Sequence, residues 1–272
     1  MQQARSITVP KPRTKSAQLN NNPFMSEDGR PRRLRGAAIY SGSLRLAELS
    51  ARIGFDAVWI EKEHSAIDWN QAEGMCIAIE NGGGIPIIRV PSNDRRDILL
   101  SLEVGARIVV VPMINRPEQA RQVVRHGKFP PLGERGYNSR TRGMGYGLNG
   151  MSTSSLDEVN QRNQLFVQIE TREAVENLQA ICAVEGIAGI FIGPGDLSLS
   201  YGWMGQLDNT SLIDTVLQII RQAHDAGKTT GILVGPGPLL EAAIEAGCQL
   251  LIVGGDVADL TSAWSQLLNR VK

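Results

Sequence analysis

The sequence lacks most of what a secreted, membrane-spanning or nucleic-acid-binding chain carries. Its three cysteines, Cys76, Cys182 and Cys248, are an odd number, far apart and set in apolar stretches. They form neither a disulfide framework nor a zinc knuckle, and core thiols in a reducing, cytoplasmic compartment are expected. No apolar run approaches the roughly 18 residues of a membrane span, and no apolar signal-peptide region stands at the start. An excess of charge of one sign is also missing, with 28 Lys and Arg against 28 Asp and Glu. That neutral balance sets up no global field, so no nucleic-acid or membrane partner is expected. Aromatic residues are only 5% of the chain, whereas glycines number 29, as expected where many short turns join strands to helices.

What remains is a chain of 272 residues, 42% hydrophobic, enough for one α/β barrel or for two small domains. Residues 1–32 stand apart, with Pro10, Pro12, Pro23, Pro31, the run Asn20-Asn21-Asn22 and no acid before Glu27. Such a basic, acid-poor start has the composition of a transit peptide, but its prolines break an amphipathic helix. A flexible or surface-draped arm ahead of a catalytic unit at 33–272 is expected.

From Leu34 onward, short β-branched runs alternate with stretches of helical apolar spacing. The predicted strands are 36–40, 57–60, 85–90, 108–112, 165–169, 189–192, 229–234 and 250–253. Helices are predicted at 43–53, 69–81, 94–104, 116–126, 171–184, 210–226, 236–246 and 256–270. Glycines at 54, 105 and 247 sit where a helix would close in a left-handed C-cap before the next strand. Eight near-continuous apolar strands suit a closed parallel barrel, although periodicity alone also allows an open doubly wound sheet. Residues 127–150, rich in glycine and arginine, lack helical spacing. A loop of that length predicts a lid, a subunit contact or a passive insertion.

In a parallel barrel the loops after the strands share one face, so polar residues just past strand ends are the candidates for chemistry. Glu170 closes the fifth strand and Asp196 follows the sixth, in Gly193-Pro194-Gly195-Asp196. Two carboxylates on neighbouring strand ends suit a hard cation with open positions, though each alone also fits a helix-start acid or a turn residue. Arg89 closes the third strand; burying it calls for an anion, either a substrate carboxylate or an ion pair with Glu61, Glu63 or Asp196. His64 follows the second strand and can exchange a proton if a neighbouring carboxylate orients it. His126 and His224 receive no role. Gly82-Gly83-Gly84 precedes a strand and lacks the geometry of a phosphate loop, while Gly235-Pro236-Gly237-Pro238 is expected to line the mouth.

These segments together resemble the HpcH/HpaI aldolase family of class II pyruvate aldolases over roughly residues 34–270. The resemblance rests on Glu63-His64, Arg89 before Pro91-Ser92-Asn93-Asp94, and Val110-Val111-Pro112-Met113. It rests also on Phe129-Pro130-Pro131-Leu132-Gly133-Glu134-Arg135-Gly136, Gln168-Ile169-Glu170-Thr171 and Gly193-Pro194-Gly195-Asp196-Leu197-Ser198. It implies a (β/α)8 TIM-type barrel of the phosphoenolpyruvate/pyruvate-domain kind. It further implies a divalent metal (Mg²⁺, Mn²⁺ or Co²⁺) held by Glu170 and Asp196, with 2-keto acid and aldehyde as substrates. Arg89 would polarise the keto oxygen, His64 would serve proton transfer, Gln168 would line the site, and the amides of Gly195 and Asp196 would bind the substrate carboxylate. A homo-hexamer built as a trimer of dimers, exchanging the last helix, is implied as well. One departure is present. Glu61-Lys62 stands where the family has an aspartate and a small residue, so the catalytic pairing of Glu61 with the His64 ring is expected to be displaced, and an inward Lys62 would disfavour protonated His64. Oxaloacetate decarboxylation or macrophomate-synthase-like enolate chemistry, and a non-catalytic keto-acid-binding barrel, are the alternatives.

Overall fold

The computed structural model describes residues 22–26, 28–148 and 153–271, so residues 1–21 of the expected arm lie outside the described residues. The chain opens with β1 (Leu34–Ile39), α1 (Leu44–Arg52), β2 (Ala57–Glu61), α2 (Trp69–Asn81), β3 (Ile85–Arg89) and α3 (Arg95–Glu103). It continues with β4 (Ile108–Val111), α4 (Pro117–Gly127), α5 (Thr153–Arg162), β5 (Gln164–Ile169), α6 (Arg172–Glu176) and α7 (Leu178–Cys182). Then come β6 (Gly189–Ile192), α8 (Pro194–Ser200), α9 (Thr210–Asp225), β7 (Thr229–Leu233), α10 (Pro238–Glu245), β8 (Leu250–Gly255) and α11 (Asp256–Arg270). The eight strands pair in parallel in chain order, and β8 closes on β1. The open doubly wound alternative is thereby excluded.

Local sequence explains the joints. Asp68 caps α2 by accepting from Gln71 N–H at 2.8 Å, while the Gln71 side chain accepts from Asp68 N–H at 3.1 Å, a reciprocal capping box. Gly54, Gly105 and Gly247 follow helix ends with φ of 114°, 109° and 85°, the left-handed region where only glycine is free of strain.

Alternate strand residues feed two cores. Val58, Ile60, Ile88, Val109, Val167 and Ile190 face the helices, while Trp59, Ile87, Ile108, Phe166, Phe191 and Leu250 fill the barrel. All three cysteines are free and buried, as expected. Phe24, from the segment before β1, joins the inner core at 3% exposure, with its ring centroid 5.6 Å from that of Phe166. Residues just ahead of β1 thus plug the end of the barrel where strands begin. Phe24→Ala is expected to destabilise the fold by about 3–5 kcal/mol, the cost of emptying a buried phenylalanine site. Chemical denaturation measures this, and a loss under about 1 kcal/mol would show that the plug is dispensable.

The described part of the 127–150 segment, residues 127–148, is not a lid over the mouth. It follows the end of α4 and precedes α5 and β5, which puts it at the opposite end of the barrel. Lys128 Nζ donates to Asn163 O at 2.6 Å, Arg135 pairs with Glu103 at the end of α3 at 2.7 Å, and Arg142 pairs with Glu80 near the end of α2. At the other terminus, α11 leaves the barrel early. Of its fifteen residues only Asp256 is buried, and Trp264, Leu267 and Leu268 are exposed.

Candidate active site

The C-terminal ends of the strands gather the polar residues that the sequence singles out. In-register pairing sets Glu61, last in β2, beside Arg89, last in β3. Arg89 donates to Glu61 Oε2 from Nε at 2.8 Å and from Nη2 at 2.7 Å, and its Nη1 lies 3.1 Å from Glu63 Oε2. Trp59 Nε1 donates to the same Glu61 oxygen at 2.9 Å, and Glu61 Oε1 accepts from the backbone N–H of Glu63 at 2.7 Å and of His64 at 2.9 Å. Glu61 is fully buried and saturated with donors. Burial alone would lower the Arg89 pKa, but the charge and hydrogen bond of Glu61 carry it above its ordinary value.

As the Glu61-Lys62 departure leads one to expect, the Glu61 carboxylate is displaced from the His64 ring. Glu61 points into the barrel like Trp59, two residues before it, and grips Arg89 together with the main chain of the β2 loop. The carboxylate facing the ring is that of Glu63, whose Oε2 is 3.7 Å from His64 Nε2. Burial raises the Glu63 pKa, Arg89 and His64 pull it down, and Glu61 and Asp196 push it back up. The His64 side chain remains 61% exposed. Lys62 turns to the other side of β2, donates to Ile67 O and sits 4.3 Å from the centroid of the Trp69 ring. It does not point at the mouth.

Across the opening, Glu170 is buried at 2% exposure. Its partners are neutral: Met113 N–H donates to Oε1 at 2.7 Å and the Gln168 amide donates to Oε2. Gly193 lets β6 pass this close, since a Cβ there would come within 2.7 Å of Glu170 Oε2. Burial raises the Glu170 pKa, the two hydrogen bonds lower it, and the charges of Glu63 and Asp196 raise it further. Asp196, exposed in the first turn of α8, thus belongs to the same cluster. Gly195 is beside it, and the first amides of a helix have no intrahelical acceptor.

No trio of His, Cys, Asp and Glu converges on one point among the described residues. The two-carboxylate set still fits a hard divalent cation that keeps positions open for small ligands. Among the described residues, three acids share one end with no basic partner at Glu170, and the Gln168 Oε1 oxygen beside it is buried without a hydrogen-bond partner.

Two residues at the mouth escape the sequence reading. Tyr40 follows β1 and Asp256 follows β8. Asp256 accepts from the backbone N–H of Tyr40 at 2.9 Å and of Ser41 at 3.0 Å. Burial raises the Tyr40 pKa, with the charge of Glu61 adding to it. A largely apolar recess of about 640 Å³ opens between β7, β8 and β1, lined by Tyr40, His64, Val234, Pro236, Val253 and Val257. Gly235 lines it too, as expected of the Gly-Pro-Gly-Pro segment.

Residues 39–263 match the family described as HpcH/HpaI aldolase/citrate lyase. A hydroxypyruvate/pyruvate aldolase of Roseobacter denitrificans is 35% identical over 227 residues, covering 83% of this chain and 88% of that enzyme. A 2-keto-3-deoxy-L-rhamnonate aldolase of Klebsiella pneumoniae is 34% identical over 257 residues, 93% of this chain and 92% of that enzyme. The crystal structure of an HpcH/HpaI aldolase from Desulfitobacterium hafniense superposes with a TM-score of 0.83 at 26% identity, covering 89% of this chain and 93% of the other. With the closed barrel and its strand-end cluster in hand, the chain belongs to the HpcH/HpaI aldolase/citrate lyase family.

Proposed function

We propose that the protein is a class II aldolase, a divalent-metal-dependent carbon–carbon lyase that splits or joins pyruvate, as its enolate, and an aldehyde. The observation that carries the reading is the pairing of two opposite features at one barrel mouth. One is an acidic cluster, Glu170 with Asp196; the other is an arginine, Arg89, locked in place by two glutamates. Glu170 and Asp196 would hold the metal, with Mg²⁺, Mn²⁺ and Co²⁺ all suited to carboxylate ligands. When bound, the cation supplies Lewis-acid stabilisation of the charge that grows on a 2-keto acid.

The chain's own residues do the rest. Arg89 donates Nε to Glu61 and is ion-paired with both Glu61 and Glu63, which leaves N–H groups on its terminal nitrogens for a substrate oxygen. Being fixed in advance, they reach the developing enolate oxygen without reorganisation. Cleavage takes a proton from the C4 hydroxyl of a 4-hydroxy-2-keto acid, and the C3–C4 bonding pair moves into the enolate as the aldehyde departs. His64 would accept that proton, with Glu63 steadying the ring and solvent reaching its other side. The free amides at Gly195 and Asp196 would take the substrate carboxylate, with Gln168 lining the floor. The apolar recess beside His64 offers room for the aldehyde half.

Homo-oligomerisation belongs to the same proposal. The exposed Trp264, Leu267 and Leu268 give α11 an apolar surface suited to packing on another copy, as in a hexamer that exchanges this helix. Among the described residues, no helix is long and apolar enough to cross a membrane. A cytoplasmic location is likewise proposed.

The test is proton exchange at the methyl group of pyruvate, followed by NMR in D₂O. Exchange is expected with Mg²⁺, Mn²⁺ or Co²⁺ and is expected to stop in a chelator. Pyruvate binding without exchange under any of these metals would leave a keto-acid-binding barrel and refute the enzyme.

A further inference from the structure

We propose that the end of the barrel opposite the mouth carries a phosphate-binding site built by Arg107, Arg142 and Arg162. A cavity of about 220 Å³ lies there, lined by these three arginines together with Glu80, Asn163 and Tyr146. Arg107 directly precedes β4 and Asn163 directly precedes β5, so both stand at the strands' N-terminal ends, a barrel's length from Glu170 and Asp196.

Charge and hydrogen bonding both point to a missing anion. Among the described residues, three guanidinium groups face one carboxylate there, which leaves two positive charges uncompensated. Glu80 is already taken by Arg142, and Arg162 spends an N–H on Gly143 O. The neighbouring Arg135 is paired with Glu103 at 2.7 Å and contributes no spare anion. Outside the described residues, 1–21 and 149–152 include no acid and Glu27 is the one side-chain carboxylate. Arg107 is 8% exposed. The Nε atoms of Arg107, Arg142 and Arg162 and the Nδ2 of Asn163 are all buried without a hydrogen-bond partner among the described residues. Four unpartnered donors on residues that line one cavity are costly to leave unmet, and a tetrahedral dianion seated there, with the side chains turned toward it, presents the acceptors and the charge that would meet them. Burial, reinforced by the charge of Arg162, holds the Arg107 pKa down to about 10, which is what an uncompensated guanidinium experiences. Arginine forks suit phosphate oxygens, and the cavity has room for a phosphate group with little more attached.

Thermal melting and calorimetry of the full chain test the site, with sodium phosphate titrated against sodium chloride at equal ionic strength. Phosphate is expected to raise Tm saturably with one ion bound per chain, and chloride is not. Arg107→Gln and Arg162→Gln are each expected to weaken phosphate binding about 10- to 100-fold, the loss of a charge-assisted hydrogen bond. In phosphate-free buffer, Arg107→Met is expected to melt no lower than the parent chain, because it removes a buried charge that lacks a partner. Glycerol phosphate distinguishes the source of the group. Tighter binding than inorganic phosphate assigns a phosphate ester, and equal or weaker binding assigns the free ion; both support the site. Absence of a saturable shift, or phosphate binding unchanged in Arg107→Gln and Arg162→Gln, overturns it.

Discussion

Glu170→Gln lowers metal-dependent proton exchange on pyruvate by about a thousandfold, the expected loss when several kcal/mol of Lewis-acid stabilisation disappears. The substitution is nearly isosteric. Its amide oxygen can still accept from Met113 N–H, which the carboxylate does at 2.7 Å, so the fold keeps that bond. What it removes is one negative charge from a cluster in which Glu63 and Asp196 already oppose the ionisation of Glu170. Two readouts therefore move in opposite directions. Mn²⁺ affinity, measured by calorimetry or electron paramagnetic resonance, is expected to fall by at least about 100-fold. In a chelator the Gln variant is expected to melt no lower than the parent chain, since repulsion among three acids is relieved. A variant that keeps its metal affinity and its exchange rate would remove Glu170 from the site. One that simply melts early would mark it as a structural acid.

The placement of Glu170 and Arg89 at the mouth was readable because each charged residue closes an apolar run, which puts it at a strand's C-terminal end. Strand positions were equally legible. All eight predicted strands overlap observed ones, because buried parallel strands leave near-continuous β-branched runs. Helices were missed where that logic fails. In α5 only Leu156 and Val159 are large and apolar, and α8 opens in Gly193-Pro194-Gly195, which reads as a turn. The stretch predicted as one helix over 171–184 divides at Asn177, whose side-chain amide donates to Asn115 O at 2.9 Å. Side-chain pairing was the least legible layer. Whether Glu61 reaches the His64 ring or Arg89 depends on the register of β2 against β3, which one strand's sequence does not carry. Tyr40 and Asp256 obey the same strand-end rule as Glu170, and applying it to β1 and β8 would have found both. The arginine cluster at the far end was hidden for another reason, since Glu80, Arg107, Arg142 and Arg162 come from four separate segments.

The Glu61–Arg89 pair gives the other large effect, and here stability and catalysis move together. Glu61→Ala removes at once the acceptor for Trp59 Nε1, for two backbone N–H groups and for two nitrogens of Arg89. Arg89, 8% exposed, would keep only Glu63. Stripping one partner from a buried ion pair costs about 3–5 kcal/mol, which at this chain length lowers Tm by roughly 10 °C. The β2 loop that carries Glu63 and His64 also loses its anchor, so kcat is expected to fall by about 100-fold as the Arg89 donors drift from the enolate oxygen. Glu61→Gln separates the two roles. It retains a side-chain acceptor while removing the charge that holds Arg89, so it should recover most of the lost stability but less of the lost kcat. A positioning residue also predicts that kcat suffers more than KM for pyruvate. An Ala variant that melts within about 1 kcal/mol of the parent chain, or a Gln variant with unchanged kcat, would show that Arg89 finds its place without Glu61.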